Sequence, residues 1–334
     1  MRRREFIGLT GTAALSCCSR LGYAQTKAAL PVVGLGLLLK SDTPIAKERI
    51  LALRKGLQEE GFVEGTNYSL AVRSAEGDFN RLPQVGRELV ALNPRVFVTL
   101  GFGLSPAQRA SPDVPLVFTA VAADPIALGW VQSYAHPGGM ITGNVMNAVG
   151  GEETMAQKRI GFFKQLVPDL KRLGMIAPAD GVLAVKEKEA LQKVAPQLDF
   201  EFVLYGLNTL DDLESAFAAG LRDDVSGFYI STEPLLISNL SRVMSSVTAS
   251  RKPSVGTIPE WGRAGLLMSY ATDTQDSLRH AGIYVAKILN GAAPGDLPVE
   301  QASKFTFVIN LRTAKELRII VPPTLLSLAD EVIE

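Results

Sequence analysis

The side chains that most often carry chemistry are few in this chain and badly spaced for it. Its only histidines are His136, in a Pro-Gly-Gly turn, and His280, inside a helix-like stretch, so neither a His-based triad nor a metal-ligand spacing can be written. Both cysteines, Cys17 and Cys18, fall within the first two dozen residues. The acidic pairs Asp211-Asp212 and Asp223-Asp224 are adjacent residues, which point in different directions on a helix instead of forming a carboxylate dyad. Gly34-Leu35-Gly36 lacks the third glycine and the following helix of a dinucleotide fingerprint, and no Walker-type phosphate loop occurs. The residues therefore predict no enzyme, no cofactor and no bound metal.

What remains is recognition chemistry. Aromatic rings and carboxylates gather at expected strand ends, namely Phe102, Asp180, Glu233, Glu260, Trp261 and Tyr270. Small-molecule pockets are mostly apolar with a few placed polar groups, and this set supplies both kinds. Taken singly, each is more often an ordinary loop or core residue, and only their shared position points to a site. Thr43-Pro44, Ser105-Pro106 and Asp124-Pro125 each set an N-cap residue before a proline suited to the first helical position, directly or shortly after an apolar strand. Simple capping explains any one of them, but their repetition along one sheet edge predicts exposed helix N-termini able to hold a carboxylate.

The elements that must position these residues alternate as parallel α/β units do. Val32–Leu39, Tyr68–Val72, Val96–Leu100 and Leu116–Val121 read as buried strands. Between them, Ile50, Leu53 and Leu57 mark one face of a helix stopped at Gly61, and Leu82–Leu92 forms another. After the Pro137-Gly138-Gly139 turn a second series begins, with strands at Leu173–Ala177, Phe200–Leu204, Gly227–Ser231 and Leu266–Ser269. Helical stretches near 153–166, 184–195, 209–221 and 235–250 separate them. A helix over Thr274–Leu289 and a strand over Phe305–Ile309 follow, and periodicity assigns neither to a series.

A chain of 334 residues exceeds the usual size of one core, so two domains are expected. Its net charge is +0, which removes any global electrostatic reason to bind nucleic acid or an anionic membrane. The first residues form an export signal in outline: Arg2, Arg3 and Arg4, a short apolar stretch from Phe6 to Leu15, and Gly22-Tyr23-Ala24 as a cleavage site. Arg3-Arg4-Glu5-Phe6-Ile7 is similar to a twin-arginine signal, with the general secretory route as the alternative. Lipidation is a second processing route; against it, Leu15 stands one place off for cleavage before Cys17, and Cys17 stands where a small residue is preferred for cleavage before Cys18. Cleavage after Ala24 removes four arginines and one glutamate, leaving 30 basic and 33 acidic residues and no cysteine. Disulfides and thiolate chemistry are then excluded from the mature chain.

The chain also resembles, over essentially its whole mature length, the family of ABC transporter substrate-binding proteins that includes the tryptophan/tyrosine-binding type. The matching segments include Gly56-Leu57-Gln58-Glu59-Glu60-Gly61-Phe62-Val63-Glu64-Gly65, Asp124-Pro125, His136 through Gly143, Gln165 through Leu170, and Glu260-Trp261. Gly265–Tyr270, Ile288–Pro298 and Phe305–Leu311 continue the match. The resemblance implies a type I periplasmic-binding fold: two doubly wound parallel-sheet α/β lobes joined by a three-crossing hinge. Lobe 1 is then expected over 31–142 plus about 270–300, and lobe 2 over 143–269 plus about 301–334. A monomer is expected that works in the periplasm with an ABC permease in the membrane; a ligand-sensing subunit for a membrane signalling protein is the alternative.

Departures from the family bear on the ligand. Leu100-Gly101-Phe102 stands where relatives often have Gly-Thr-Pro after the third strand, which adds a ring; His136, Met140 and Leu266 also differ. The expected ligand is a small organic molecule, an amino acid or related carboxylate with an apolar or aromatic part, held between Phe102 and Trp261. Its anionic end would meet helix N-termini near Ser105 and Asp124, and Glu233 or Glu260 would take an ammonium group. Ser41, Gly101, Ala120, Asn144, Asp180 and Tyr270 complete the candidate ligand-binding set.

Overall fold

The computed structural model describes residues 29–101, 112–146 and 151–334. The expected leader at 1–24 and the candidates Phe102 and Ser105 lie outside the described residues. Element labels below count the described elements.

The first series forms as its apolar runs dictate. β1 (Val32–Leu37) is followed by α1 (Pro44–Glu59), which starts where expected: the Thr43 side chain accepts from the Ala46 N–H at 3.3 Å and Pro44 occupies the first turn. β2 (Ser69–Ser74), α2 (Leu82–Val90), β3 (Val96–Leu100), β4 (Leu116–Val121) and β5 (Ile141–Val145) continue it. Asp124-Pro125 opens a turn rather than a described helix; Asp124 Oδ1 accepts from the Ile126 N–H at 2.9 Å, and Gly129 follows at φ +69°. The local side-chain bond competes with helix geometry at this point.

The second series runs α3 (Gly151–Leu166), β6 (Arg172–Pro178), α4 (Val182–Gln197), β7 (Glu201–Leu207), α5 (Leu213–Arg222) and β8 (Gly227–Ile230). The helix expected over 235–250 is broken into α6 (Pro234–Ile237) and α7 (Leu240–Ser250), because Asn239 leaves the helical region and its Nδ2 donates to the Leu235 carbonyl at 2.7 Å. Then come β9 (Ser254–Gly256), α8 (Pro259–Ala264) and β10 (Met268–Thr272), the last starting two residues beyond the expected Leu266. The chain ends with α9 (Thr274–Leu289), β11 (Glu300–Gln301), β12 (Phe305–Asn310), α10 (Leu311–Glu316), α11 (Pro323–Leu328) and β13 (Glu331–Ile333). The short strands β9, β11 and β13 carry too few residues for an alternating pattern to be read.

Two sheets result, of order β11-β5-β4-β3-β1-β2 and β13-β12-β10-β9-β8-β6-β7. Every described strand pair is parallel except β10 with β12. Both faces of each sheet are covered. In the first, Leu35 and Val98 pack with α1 and α9, while Phe97 and Phe118 pack with α2. In the second, Met175 and Tyr229 belong to the cluster that includes α3 and α4, and Phe228 and Ile230 to the one that includes α5 and α7. This is the doubly wound α/β class, twice over. The placement of α9 follows from a close crossing with α1: an added Cβ would lie 1.8 Å from the Arg279 carbonyl oxygen at Gly56, and 2.3 Å from the Leu53 oxygen at Gly282. Only hydrogen side chains permit that approach.

Candidate functional site

The carboxyl ends of strands from both sheets converge on one cavity of about 150 Å³. From the first sheet come Leu38 and Leu39 beyond β1, Leu100 and Gly101 at the end of β3, Ala120 and Ala122 at β4, and Met146 after β5. The second sheet supplies Thr232 after β8, Thr257 and Ile258 after β9, and Thr272 closing β10. Three charged side chains enter from helices on that side, Glu152 and Arg159 of α3 and Glu187 of α4, joined by Lys186. Arg49 of α1 enters from the other. A space of this size holds one ring-sized group. Leu39 and Ile45 of the first series are packed into the apolar cluster of Leu236, Ile237 and Ile258, so the two halves touch around the cavity.

The strained backbone at the cavity wall has a visible cause. Ala120 adopts φ +52°, beside a register shift between β4 and β5, and Gly101 adopts φ +55°. Buried Asn144 holds this arrangement: its Oδ1 accepts from Thr119 Oγ1 at 3.0 Å and from the Ala120 N–H at 3.1 Å, and its Nδ2 donates to the Ser277 carbonyl at 2.9 Å. A left-handed non-glycine residue persists only when its surroundings over-determine it, as here.

The charges divide into satisfied and unsatisfied groups. Arg159, 2% exposed, donates from Nε to the Tyr270 carbonyl at 2.8 Å and from Nη1 to Glu152 Oε1 and the Tyr229 hydroxyl, both at 3.0 Å. Burial alone would lower its pKa, but Tyr229 and Glu152 outweigh that and raise it, so the guanidinium stays charged. Half-buried Arg49 is different. Its Nε is out of reach of solvent and has no hydrogen-bond partner among the described residues, and burial lowers its pKa against the opposing charges of Glu260 and Glu48. Glu187 accepts at Oε1 from the Thr232 N–H at 3.1 Å and from Thr232 Oγ1 at 2.7 Å, while its Oε2 is buried and unpartnered. Burial pushes this carboxyl up to about 7.

The candidates read from sequence are distributed unevenly around this cavity. Gly101 and Ala120 line it, and Asn144 holds Ala120 from behind. Ser41, Asp124 and Asp180 are exposed and outside the lining. Glu233 is buried, but its Oε1 already accepts from the Leu183 and Ala184 N–H groups at 2.7 and 2.9 Å, capping α4 across the loop. Glu260, also buried, is outside the lining with Oε2 unpartnered. Trp261 is wholly buried in the second-sheet core, tight against Gly256, where an added Cβ would lie 2.5 Å from its own Cβ. Tyr270 stacks on Phe305 at 6.0 Å and meets Phe162 edge-on at 5.3 Å, so its ring packs against the sheet and only its carbonyl serves Arg159.

Sequence reasoning missed Arg49, Arg159 and Glu187. A signal existed for the last two. Glu187 falls in the apolar row Ala184, Ala190, Leu191 and Val194, and Arg159 in the row Met155, Ala156 and Phe163, so each is a charge where the helix faces inward.

Two parallel-sheet units with a cavity between their strand ends define a two-lobed solute-binding protein. The chain belongs to the ABC transporter substrate binding protein family, whose family model matches residues 42–333. It is 24% identical over 264 residues to a tyrosine-binding protein of Clostridioides difficile, covering 79% of this chain and 74% of the relative. Among solved structures, a Streptococcus pneumonia ABC domain in complex with L-Trp has 23% identity and a TM-score of 0.79, covering 91% of this chain and 100% of the other. The ligand-free, open structure of a substrate-binding protein with adhesive properties from Clostridium difficile has 20% identity and a TM-score of 0.66, covering 91% and 99%. The type I periplasmic-binding fold and the non-enzymatic, solute-binding class follow from these matches.

Proposed function

We propose that this chain is the extracytoplasmic solute-binding component of an ABC importer, and that it captures a small organic ligand by closure of two lobes. The observation that carries this reading is the cavity walled by strand ends of both sheets, with Arg49, whose Nε has no partner among the described residues, on one side and Glu187 on the other. Lobe 1, expected over 31–142 with about 270–300, also takes the rest of β5 to Val145 and all of β11 to Gln301, and lobe 2, expected over 143–269 with about 301–334, takes β10 to Thr272, because each strand goes with its sheet. The favoured ligand is an amino acid or related carboxylate with an apolar part. Arg49 offers its carboxylate a charge-assisted hydrogen bond, and Leu38, Leu100, Met155 and Ile237 offer apolar surface. Tyrosine and tryptophan, which relatives bind, fit this description of charge and polarity. Hinge closure is a standard switching mode for two-lobed binders, and a closed monomer would present itself to a membrane permease.

A thermal-shift screen of metabolites, followed by small-angle scattering with and without the best hit, tests the reading. The expected result is a bound amino acid or carboxylate, a smaller radius of gyration in the complex, and ligand recovered chemically intact. Binding without compaction removes lobe closure, and a sugar or bare inorganic anion as best ligand removes the ligand class.

A further inference from the structure

Glu187 carries an acceptor that the protein does not use. The residue is 5% exposed and lines the cavity; Thr232 occupies its Oε1, the buried Ser231 hydroxyl lies close enough to favour its ionised form, and its Oε2 has no partner within hydrogen-bond distance among the described residues. A carboxylate oxygen in that position is costly unless a proton or a cation occupies it. The charged and titratable groups facing it are Lys186 of its own helix, Glu152 and Arg159 from α3, Tyr229 from β8 and, across the cavity, Arg49 from α1. None of the cations pairs with it among the described residues. Arg159 is committed to Glu152, Tyr229 and Tyr270, and the Tyr229 phenol is kept neutral by burial.

Building on the solute-capture reading, we propose that Glu187 is the residue with which this site selects ligands carrying an ammonium group, and that its carboxyl releases a proton to solvent as such a ligand binds. In the empty site, burial, aided by the nearby Glu152 charge, outweighs the hydrogen bonds from Ser231 and Thr232 and pushes the carboxyl up to about 7, so it is protonated below neutral pH. An arriving ammonium ion supplies the opposite charge and the donor that Oε2 lacks, so the ionised form wins in the complex. The sign follows directly. Below pH 7 the proton must be expelled before the cation docks, and above pH 7 it is already gone, so affinity rises by about tenfold between pH 6 and pH 8. A neutral Glu187 donating to a ligand oxygen would give the reverse slope.

The experiment is calorimetry on the mature chain with the twenty standard L-amino acids and their desamino counterparts. Affinity is measured at pH 6 and pH 8 in two buffers of different ionisation heat. Expected are a preference of tenfold or more for the amine-bearing member of a pair, proton release, and tighter binding at pH 8. Glu187→Gln should lose tenfold or more for the amine alone, leaving the desamino acid unaffected, while Glu189→Gln, on the exposed face of α4, changes neither. The wild-type proton count needs no variant, so misfolding of Glu187→Gln would not shield the proposal. Binding of desamino acids as tightly as amino acids, proton uptake, or an unaltered Glu187→Gln overturns the role of Glu187 and leaves solute capture standing. No binding by any compound of the panel overturns both.

Discussion

At the residue scale, the buried carboxyl of Glu187 has a consequence that does not need a ligand. Its pKa lies near 4.5 when exposed and is pushed up to about 7 by burial in the fold. Between those values the folded chain keeps a proton that the unfolded chain has lost. Stability therefore falls as pH rises through this window, by on the order of 3 kcal/mol from this group at most. Asp273 acts in a different range. Burial opposes its ionisation, but Lys304 and backbone N–H groups outweigh it and lower its pKa, so its contribution is lost only as pH falls below the ordinary carboxylate range. Urea denaturation of ligand-free protein at pH 5 and pH 8 separates the two. Glu187→Gln is expected to gain stability relative to wild type at pH 8 and little at pH 5; equal differences at both pH values would contradict the assigned protonation.

At the element scale, α1 and α9 form a contact that admits no side chain at two points. Gly56 faces the Arg279 backbone and Gly282 faces the Leu53 backbone, so even a methyl group must push the helices apart. Gly282→Ala is expected to cost about 2 kcal/mol or more in urea denaturation, with a lowered midpoint. An unchanged midpoint would mean that α9 does not dock on α1 as described. The effect should extend beyond stability, because α1 carries Arg49 and α9 begins at Thr274, both on the cavity wall. At α4 the same logic runs through a single carboxylate: Glu233 caps its first turn, and Gly181 leaves room for that carboxylate, since a Cβ there would lie 2.3 Å from Glu233 Oε1. The first turns of α4 thereby aim Glu187 into the cavity.

For the whole molecule, the three passages between the sheets are tied to one another. Thr272 Oγ1 donates to the Met146 carbonyl, Lys304 Nζ pairs with Asp273 at 2.8 Å, and the Ala302 N–H donates to the Val145 carbonyl at 2.9 Å. These bonds hold the passages side by side in a narrow strip between the sheets. Export is a separate expectation, and it rests on the N-terminal residues alone. Arg2, Arg3, Arg4, the apolar stretch and Ala24 stand in the order of a cleaved export signal. Mass spectrometry of the exported form is expected to find Gln25 as the first residue; a lipid-modified Cys17 or Cys18 would show the other processing route.

Much of the fold was legible before any coordinates. Val96–Leu100, Leu116–Val121 and Thr274–Leu289 have the bounds that their apolar patterns predict, and Thr43-Pro44 opens α1 by local chemistry alone. These features depend on neighbours in sequence, which is why sequence determines them. Periodicity says that a face is buried but not what buries it. Hence α9 and β12 had no assigned partner until Gly56, Gly282 and the antiparallel pairing of β12 with β10 supplied one. The site shows the same division. Gly101 and Ala120, expected from sequence as ligand contacts, line the cavity, since strand carboxyl ends face a cleft in any doubly wound sheet. Trp261, Glu233 and Tyr270 occupy similar sequence positions, yet packing turned one ring into the core, another against the sheet, and the carboxylate onto a helix end. The meeting of Arg49 with Glu187 across one cavity joins positions 138 residues apart. Only tertiary structure decides such a pairing, because desolvation of both groups depends on which strand ends and helices wall the cavity around them.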